Sequence, residues 1–275
     1  MEHGVNESYA VPVGYTEHVP PPDLAPWVAC FWTALSVAAP APGAVHRVLP
    51  DGCVDIILGF GRAGEPDGEL TTAIGVGPMT KPIFVREPGP RLRVAVRFKP
   101  GRAYAALGIP AGEIVDENVP YSALSLDAAA EMDALSVHTS DAERLGALIA
   151  LVRRRLLTAP AVPTSVRAAV KRIVVAQGNL RIASLASEIG ITRQQLARHF
   201  STHVGVTPKM LARVMRTHAV LARMDSARAA YPRAVDWSGI ANELGYYDQP
   251  HLIDDFKELT GSTPWRFFHA PGPTP

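Results

Sequence analysis

The chain has 275 residues, 47% of them hydrophobic, with 27 Lys and Arg against 26 Asp and Glu. This length and apolar content suffice for two cores of ordinary domain size, so two domains are the default expectation. A formal net charge of +1 would by itself argue against a nucleic-acid partner, so the distribution of charge has to be examined. No segment approaches the ~18 consecutive apolar residues of a membrane span, and no membrane partner is expected.

The N-terminal segment lacks the features of a secretory signal. Glu2 and Glu7 stand where a signal peptide is basic, and residues 1–22 are polar and end in three prolines. The sequence has two cysteines, Cys30 and Cys53, too few for a metal knuckle or a disulfide framework. We expect a reduced, cytoplasmic protein without a metal or another cofactor.

Residues 23–98 are predicted to form one short helix and then five strands. Asp23 can cap a helix whose apolar residues recur at helical spacing, namely Leu24, Trp27, Val28 and Phe31. After a Pro/Ala/Gly loop at 40–43, segments rich in β-branched residues are separated by Gly, Pro and Asp clusters. The predicted strands are 45–49, 54–60, 71–76, 83–86 and 92–98. They indicate a small antiparallel sheet or partial barrel with flanking helices.

Two tight turns in this region allow two interpretations. Asp51-Gly52 lies between two predicted strands, and Phe98–Gly101 ends a strand and begins a helix over 102–107. Both can be purely structural. The alternative is that Asp51, Asp55 and Arg97 line a ligand pocket, because polar groups converge in the pockets of sensor domains.

Helices are predicted over 124–134 and 141–157. In the second, Leu145, Leu148, Ile149, Val152 and Leu156 form an apolar stripe, which can pack on its own sheet or on a second subunit. Residues 158–163 are too rich in proline to continue a helix and are predicted to be a linker. Residues 1–157 would then form the N-terminal domain.

The C-terminal part of the chain is basic. From residue 160 onward there are 14 Lys and Arg and 8 Asp and Glu, a balance of +6, whereas the rest has 13 and 18, a balance of −5. A positive domain is what DNA phosphates require of a partner.

An internal repeat lies within this basic part. When Gly190 is aligned with Gly245, 55 residues later, the copies share seven residues, with one extra residue in the second copy before its Leu. The shared pairs are Ala186/Ala241, Glu188/Glu243, Leu196/Leu252, Phe200/Phe256, Gly205/Gly261, Thr207/Thr263 and Pro208/Pro264.

Each copy is predicted to be two short helices with a glycine between them. In the first copy, Gly190 supplies the positive φ that ends one helix and Thr192 can cap the next. Leu196 and Phe200 are four residues apart and face inward together, which leaves Gln194, Ala197, Arg198 and Ser201 on the outer face. This pattern is typical of a helix-turn-helix, whose second helix enters the major groove.

The repeat resembles the DNA-binding domain of the AraC/XylS family of bacterial transcription regulators, two helix-turn-helix units joined by a long helix. The resemblance covers about residues 165–268, and each copy closes with Gly-x-Thr-Pro. An apolar stripe that begins after Thr207-Pro208 fits the joining helix. The resemblance implies an α+β protein, with a β-rich N-terminal domain followed by an all-α double helix-turn-helix domain over 164–270.

The resemblance also implies which residues meet DNA. Arg198 is the best candidate for reading a guanine, because a guanidinium can donate two hydrogen bonds to O6 and N7. Ala197 and Pro250 cannot hydrogen-bond to a base through their side chains, and Asp254 stands where the family often has arginine or another polar residue. The candidate DNA-binding residues are Arg193, Gln194, Gln195, Ala197, Arg198, Ser201, Gln249, Pro250, Asp254 and Lys257.

The role of the N-terminal domain has two interpretations. Its GVGP (75–78) and VPYSAL (119–124) segments are similar to a domain that accompanies some members of the family, which implies the sensing of a small-molecule effector. The other interpretation is a protein-interaction or dimerisation module without a ligand. The expected partners are double-stranded DNA, RNA polymerase, an effector and a second copy of the chain. No enzyme is expected, because no activated nucleophile accompanies His46.

Overall fold

The N-terminal part is built on one open antiparallel sheet. The computed structural model describes residues 14–36, 45–61, 69–86, 91–137, 140–230 and 235–269, so the predicted loop at 40–43 lies outside the described residues. Six strands pair in the order β1-β2-β7-β4-β5-β8, and β3 pairs with β6 in a separate ribbon. The strands are β1 (Tyr15–His18), β2 (Val28–Ser36), β3 (Val45–Val48), β4 (Val54–Phe60), β5 (Leu70–Val76), β6 (Ile83–Arg86), β7 (Arg91–Phe98) and β8 (Asn118–Pro120). The five predicted strands are confirmed, whereas β1, β2 and β8 were not predicted.

The predicted helix over 23–31 is wrong in its second half. The chain makes helix-like turns at the start, where Val28 N–H donates to the Leu24 carbonyl, and then enters β2. Val28 and Phe31 face the main core, while Cys30 and Trp32 are buried on the opposite face of the sheet. Burial on both faces makes β2 a nearly continuous apolar run, whose helix-like spacing is accidental.

Helices cover one face of this sheet. They are α1 (Ala103–Leu107), α2 (Ala128–Ser136) and α3 (Asp141–Leu157). Leu148 and Val152 of α3 pack with Ile56 and Val96 of the sheet, so the apolar stripe is buried within its own chain. Helix α2 begins later than predicted, because Tyr121 and Leu124 enter the core through a 3-10 turn instead.

In its described residues, the C-terminal part consists of helices joined by short turns, without strands. Its helices are α4 (Thr164–Val175), α5 (Ile182–Glu188), α6 (Arg193–His203), α7 (Pro208–Ala230), α8 (Trp237–Glu243), α9 (Gln249–Thr260) and α10 (Pro264–His269). Two apolar clusters lie along it, one containing Leu196 and Phe200 and the other containing Leu252 and Phe256. The predicted α+β class, with a β-rich part followed by two helix-turn-helix units, is confirmed.

Candidate functional site

The first helix-turn-helix unit consists of α5 and α6. Gly190 between them has φ +74°, as the sequence predicts for the end of α5. Thr192 caps α6: its Oγ1 accepts from the Gln195 N–H at 3.1 Å, and the Gln195 Oε1 accepts from the Thr192 N–H at 2.9 Å. This capping box fixes where α6 begins.

The outward side chains in the first half of α6 are exposed to solvent. Arg193, Gln194, Ala197 and Arg198 are exposed, opposite the buried Leu196 and Phe200. Gln195 has its carboxamide oxygen in the capping box, so only its NH₂ group remains for another partner. Ser201 lies against the N-terminal part, since a Cβ on Gly112 would be 2.8 Å from the Ser201 carbonyl oxygen. Gln195 and Ser201 are exposed too but have these other neighbours, so Arg193, Gln194, Ala197 and Arg198 form the main part of the predicted recognition face.

The second unit, α8 and α9, has the same construction with different caps. Asp236 caps α8 by accepting from the Gly239 N–H at 2.9 Å, and Asp248 caps α9 by accepting from the His251 N–H at 2.9 Å. Gln249 is half-buried, and its Oε1 accepts from the Ser238 hydroxyl at 3.0 Å. Pro250, Asp254 and Lys257 are exposed.

The acidic residues of α9 are less exposed to phosphate than their number indicates. Arg213 of α7 donates to Asp255 at 2.8 Å and, with its other nitrogens, to Glu258 at 2.6 and 3.2 Å. The Asp248 carboxylate accepts from the His251 N–H as the N-cap of α9. The sum of the formal charges along α9 therefore overstates its repulsion from DNA. Asp254 is the exposed acidic residue of α9 to which these contacts do not apply.

Helix α7 joins the two units. Leu211 and Ala212 belong to the apolar cluster of the first unit, whereas Val220 and Met224 belong to that of the second. Arg213 and Arg216 add polar contacts to the second unit, the latter to the Gly245 carbonyl at 3.3 Å. The position of α7 thus sets the position of α9 relative to α6.

Sequence reasoning missed Tyr247 beside the second recognition helix. The extra residue of the second copy produces a Tyr-Tyr pair after Gly245, in which Tyr246 is 4% exposed and Tyr247 is 92% exposed. The exposed aromatic ring of Tyr247 lies next to the N-terminus of α9. The extra residue itself is the signal that could have identified it.

The three candidate ligand residues of the N-terminal part lie together. Arg97 donates to Asp55 through Nε and Nη2, both at 3.1 Å, and its Nε is 3.5 Å from Asp51 Oδ2. Trp32 Nε1 donates to Asp55 Oδ2 at 3.1 Å. We name this group of four residues the Asp55–Arg97 cluster. It lies on the sheet face opposite the helices, with side chains of Arg97 and Asp51 that remain about a quarter exposed (26% and 28%).

Burial dominates the electrostatics of this sheet face. It raises the pKa of Asp55, against the opposing charge of Arg97, and it raises the pKa of Cys30 to about 11. Cys53 is partly buried, and desolvation of its thiol together with the nearby Asp51 carboxylate raises its pKa as well. Both cysteines are free thiols, protonated near neutral pH and therefore poor nucleophiles.

Within the described ranges, no group of three His, Cys, Asp or Glu side chains is arranged to hold a metal ion. No helix among those residues combines the length and the apolar character needed to cross a membrane.

Comparison with known proteins separates the two parts of the chain. Residues 16–120 match the model of a domain family of unknown function, DUF6597, and residues 185–270 match the model of a helix-turn-helix domain family. Among curated proteins, none matches the chain.

Several solved structures of ToxT from Vibrio cholerae are similar to the chain. An apo variant is 12% identical with a TM-score of 0.43, covering 87% of this chain and 97% of that one. Another ToxT structure is 10% identical with a TM-score of 0.42, covering 95% and 100%. A third, of ToxT with an unsaturated fatty acid bound, is 9% identical with a TM-score of 0.39, covering 86% and 95%.

The helix-turn-helix match spans the internal repeat. It begins within α5 and continues through α10, so it includes both units and the helix that joins them. Both recognition helices carry capped N-termini and exposed faces. The C-terminal part of the chain is therefore a helix-turn-helix domain of the AraC type, with two such units.

Proposed function

We propose that the chain is a sequence-specific DNA-binding transcription regulator whose N-terminal part, residues 1–157, responds to a small-molecule effector. The DNA-binding half rests on one observation: two capped helices, α6 and α9, present exposed residues and are held by a single helix, α7. In such an arrangement the two helices enter successive major grooves, about one helical turn or ~34 Å apart. Arg198 reads a guanine, and Arg193, Gln194, Gln249, Lys257 and Tyr247 add phosphate or groove contacts.

The Asp55–Arg97 cluster supports the sensing half of the proposal. A buried ion pair contributes little net stability, and well-packed apolar residues of similar volume often replace one without loss. Two carboxylates, one guanidinium and an indole N–H converge in this cluster and remain partly exposed, as the polar groups of a ligand-binding site in a sensor domain do. The alternative stays open, namely that the N-terminal part binds a protein partner or a second copy of the chain.

A thermal-shift screen of the full chain against small metabolites tests the sensing half. We expect at least one compound to raise the Tm of the wild type, because a ligand that binds only the folded state stabilises it by mass action. The same compound should raise the Tm of Asp51→Asn less. If no compound stabilises the wild type, or if the stabilisation is identical in Asp51→Asn, the interaction module becomes the better account.

Replacing Asp254 by arginine is expected to raise DNA affinity and to steepen its dependence on salt. Asp254 is exposed on α9, while the other acids of that helix are occupied by the cap or by Arg213. An added phosphate contact releases counterions and steepens the logarithmic salt dependence by about 0.9. Affinity is measured by fluorescence anisotropy over a salt series, on duplexes enriched by in-vitro selection and on random duplexes.

The matched control is Asp133→Arg, which makes the same change of charge on the exposed side of α2 in the N-terminal part. It should leave the salt dependence unchanged. Loss of binding to the selected duplex in Asp254→Arg, with binding to random duplexes kept, would show instead that Asp254 accepts from a cytosine and that the second unit reads sequence.

The remaining partners follow from the proposed function. A transcription regulator acts where the chromosome and RNA polymerase are, which in a bacterial cell is the cytoplasm. Residues 158–163 would be the linker before the DNA-binding domain at 164–270, and a second copy of the chain would be a partner if the operator is repeated.

A further inference from the structure

The turn before β4 connects the Asp55–Arg97 cluster with the helix that joins the two DNA-binding units. Pro50 and Gly52 contact α7 directly. The His218 Nε2 lies 2.7 Å from the Pro50 carbonyl oxygen and, as the ring N–H, donates to it. Gly52 has φ +75°, and a Cβ at that position would be 2.6 Å from Leu211 Cδ1. The backbone of the turn is therefore fitted closely against α7.

The other side of the same turn belongs to the cluster. Asp51 Oδ1 accepts from the Cys53 N–H at 2.8 Å, which closes the turn on its own side chain. Asp51 Oδ2 lies 3.5 Å from Arg97 Nε. One carboxylate thus shapes the turn and interacts with the guanidinium. A ligand that engages Arg97 or Asp51 would alter the turn that α7 rests on.

The N-terminal part contacts each helix-turn-helix unit as well. In the first unit, a Cβ on Gly205 would be 2.5 Å from Pro78 Cγ. In the second, the Arg47 guanidinium lies 5.4 Å from the ring centres of both Phe84 and Phe267. Phe84 belongs to the β3–β6 ribbon and Phe267 to α10. The N-terminal part therefore holds both units and α7 in one arrangement.

These contacts leave most of the recognition residues accessible. Arg193, Gln194, Ala197 and Arg198 of α6, and Pro250 and Asp254 of α9, are exposed while the parts are docked. Docking therefore does not cover the DNA-reading faces. It fixes how they lie relative to each other, because α7 packs on the first unit through Leu211 and on the second through Val220.

We propose that the Pro50–Cys53 turn and His218 transmit the state of the Asp55–Arg97 cluster to α7, and so set how well the two recognition helices fit DNA together. The proposal rests on the proposed function, since it treats the cluster as the effector site. His218 is a positioning residue in it, with no contact to ligand or DNA. Two sites are thermodynamically coupled when each biases one shared element, which here is α7.

A double-mutant cycle in the full chain tests the coupling. The probe is a duplex enriched by in-vitro selection with the wild type, and Kd is measured by fluorescence anisotropy. Asp51→Asn keeps an acceptor for the Cys53 N–H but removes the charge from Arg97, and it should weaken binding about five-fold or more. His218→Ala removes the contact with Pro50. In that background, adding Asp51→Asn should change Kd by no more than about two-fold.

His218→Gln is the rescue variant, because its amide nitrogen can occupy the place of Nε2 and donate to the same carbonyl. In that background Asp51→Asn should again weaken binding about five-fold. The same loss in all three backgrounds would overturn the coupling through His218, and so would the absence of any loss in the wild-type background.

Amide hydrogen exchange supplies a second readout that needs no DNA. Asp51→Asn should speed the exchange of α7 amides near Leu211 and His218, since loosening the turn removes a contact from that helix. Unchanged exchange there would overturn the proposal even if Asp51→Asn weakened DNA binding. A wild type that enriches no duplex would instead contradict the proposed function, and the exchange result would still decide the coupling.

Discussion

Replacing Glu131 by glutamine is expected to lower the free energy of unfolding by about 3 kcal/mol, because it leaves a largely buried guanidinium without its counter-charge. Glu131 is 6% exposed and accepts from Arg155 at 2.7 and 3.1 Å, from Ser125 at 2.8 Å and from Tyr121 at 3.0 Å. Arg155 also donates to the Ala106 carbonyl at 2.9 Å, so this one carboxylate connects α2, α3 and the end of α1. The measurement is denaturant unfolding of the full chain.

The pH dependence gives the same prediction a second test. Burial alone would raise the pKa of Glu131, but the hydrogen bonds from Arg155, Ser125 and Tyr121 outweigh it and lower the pKa to about 2. The folded pKa lies below the unfolded value of about 4.3, so the stabilisation is fully present above about pH 4.3 and is lost as the pH falls towards 2. The difference between wild type and Glu131→Gln should therefore shrink over that interval.

A control on the same helix separates this effect from a general loss of charge. Asp133 is exposed on α2, and Asp133→Asn should change the free energy of unfolding by less than about 0.5 kcal/mol. Equal effects of the two substitutions, or a difference at neutral pH that persists unchanged at pH 2, would contradict the role given to Glu131.

Replacing Arg198 by alanine is expected to cost about 1–3 kcal/mol of binding free energy on the preferred duplex and to relax the preference at one base position. Arg198 is exposed on α6, on the side opposite the buried Leu196 and Phe200. A guanidinium so placed can donate to both O6 and N7 of one guanine. The measurement is Kd on the preferred duplex and on its single-base variants.

Arg193→Ala is the matched control, because it removes one exposed cation from the first turn of the same helix. We expect it to weaken all duplexes to a similar degree, as loss of a phosphate contact does. If Arg198→Ala behaves in the same way, weakening preferred and random duplexes equally, then Arg198 contacts phosphate and the base-reading role is wrong.

The helices of the DNA-binding part were predictable because their signals are local. Gly190 and Thr192 mark an end and a start within three residues of each other, and the apolar period of 3.6 places Leu196 and Phe200 inside. The prediction failed at β2, where strand pairing with β7 and burial on both faces outweighed a helical spacing of apolar residues. Pairing partners far along the chain are invisible to a local pattern.

In the candidate sites, too, local patterns were predictable and contacts between distant residues were not. The pocket interpretation of the sequence groups Asp51, Asp55 and Arg97 without a pairing of strands, and the sheet register places Asp55 opposite Arg97. The pairing of Arg213 with the acidic side chains of α9 could not be predicted from the sequence, because it joins residues that lie 42 and 45 positions apart. The contact of His218 with Pro50 spans 168 positions and depends on how two separate cores dock.

In-vitro selection of random duplex DNA with the purified full chain tests the central claim most directly. Two helix-turn-helix units joined by α7 should enrich a site with two blocks of preferred bases, centred about 10–10.5 base pairs apart, since successive major grooves recur at that spacing. The block read by α6 should contain the guanine whose preference disappears in Arg198→Ala. Enrichment of no sequence, or of a single block that Arg198→Ala leaves unchanged, would contradict the account.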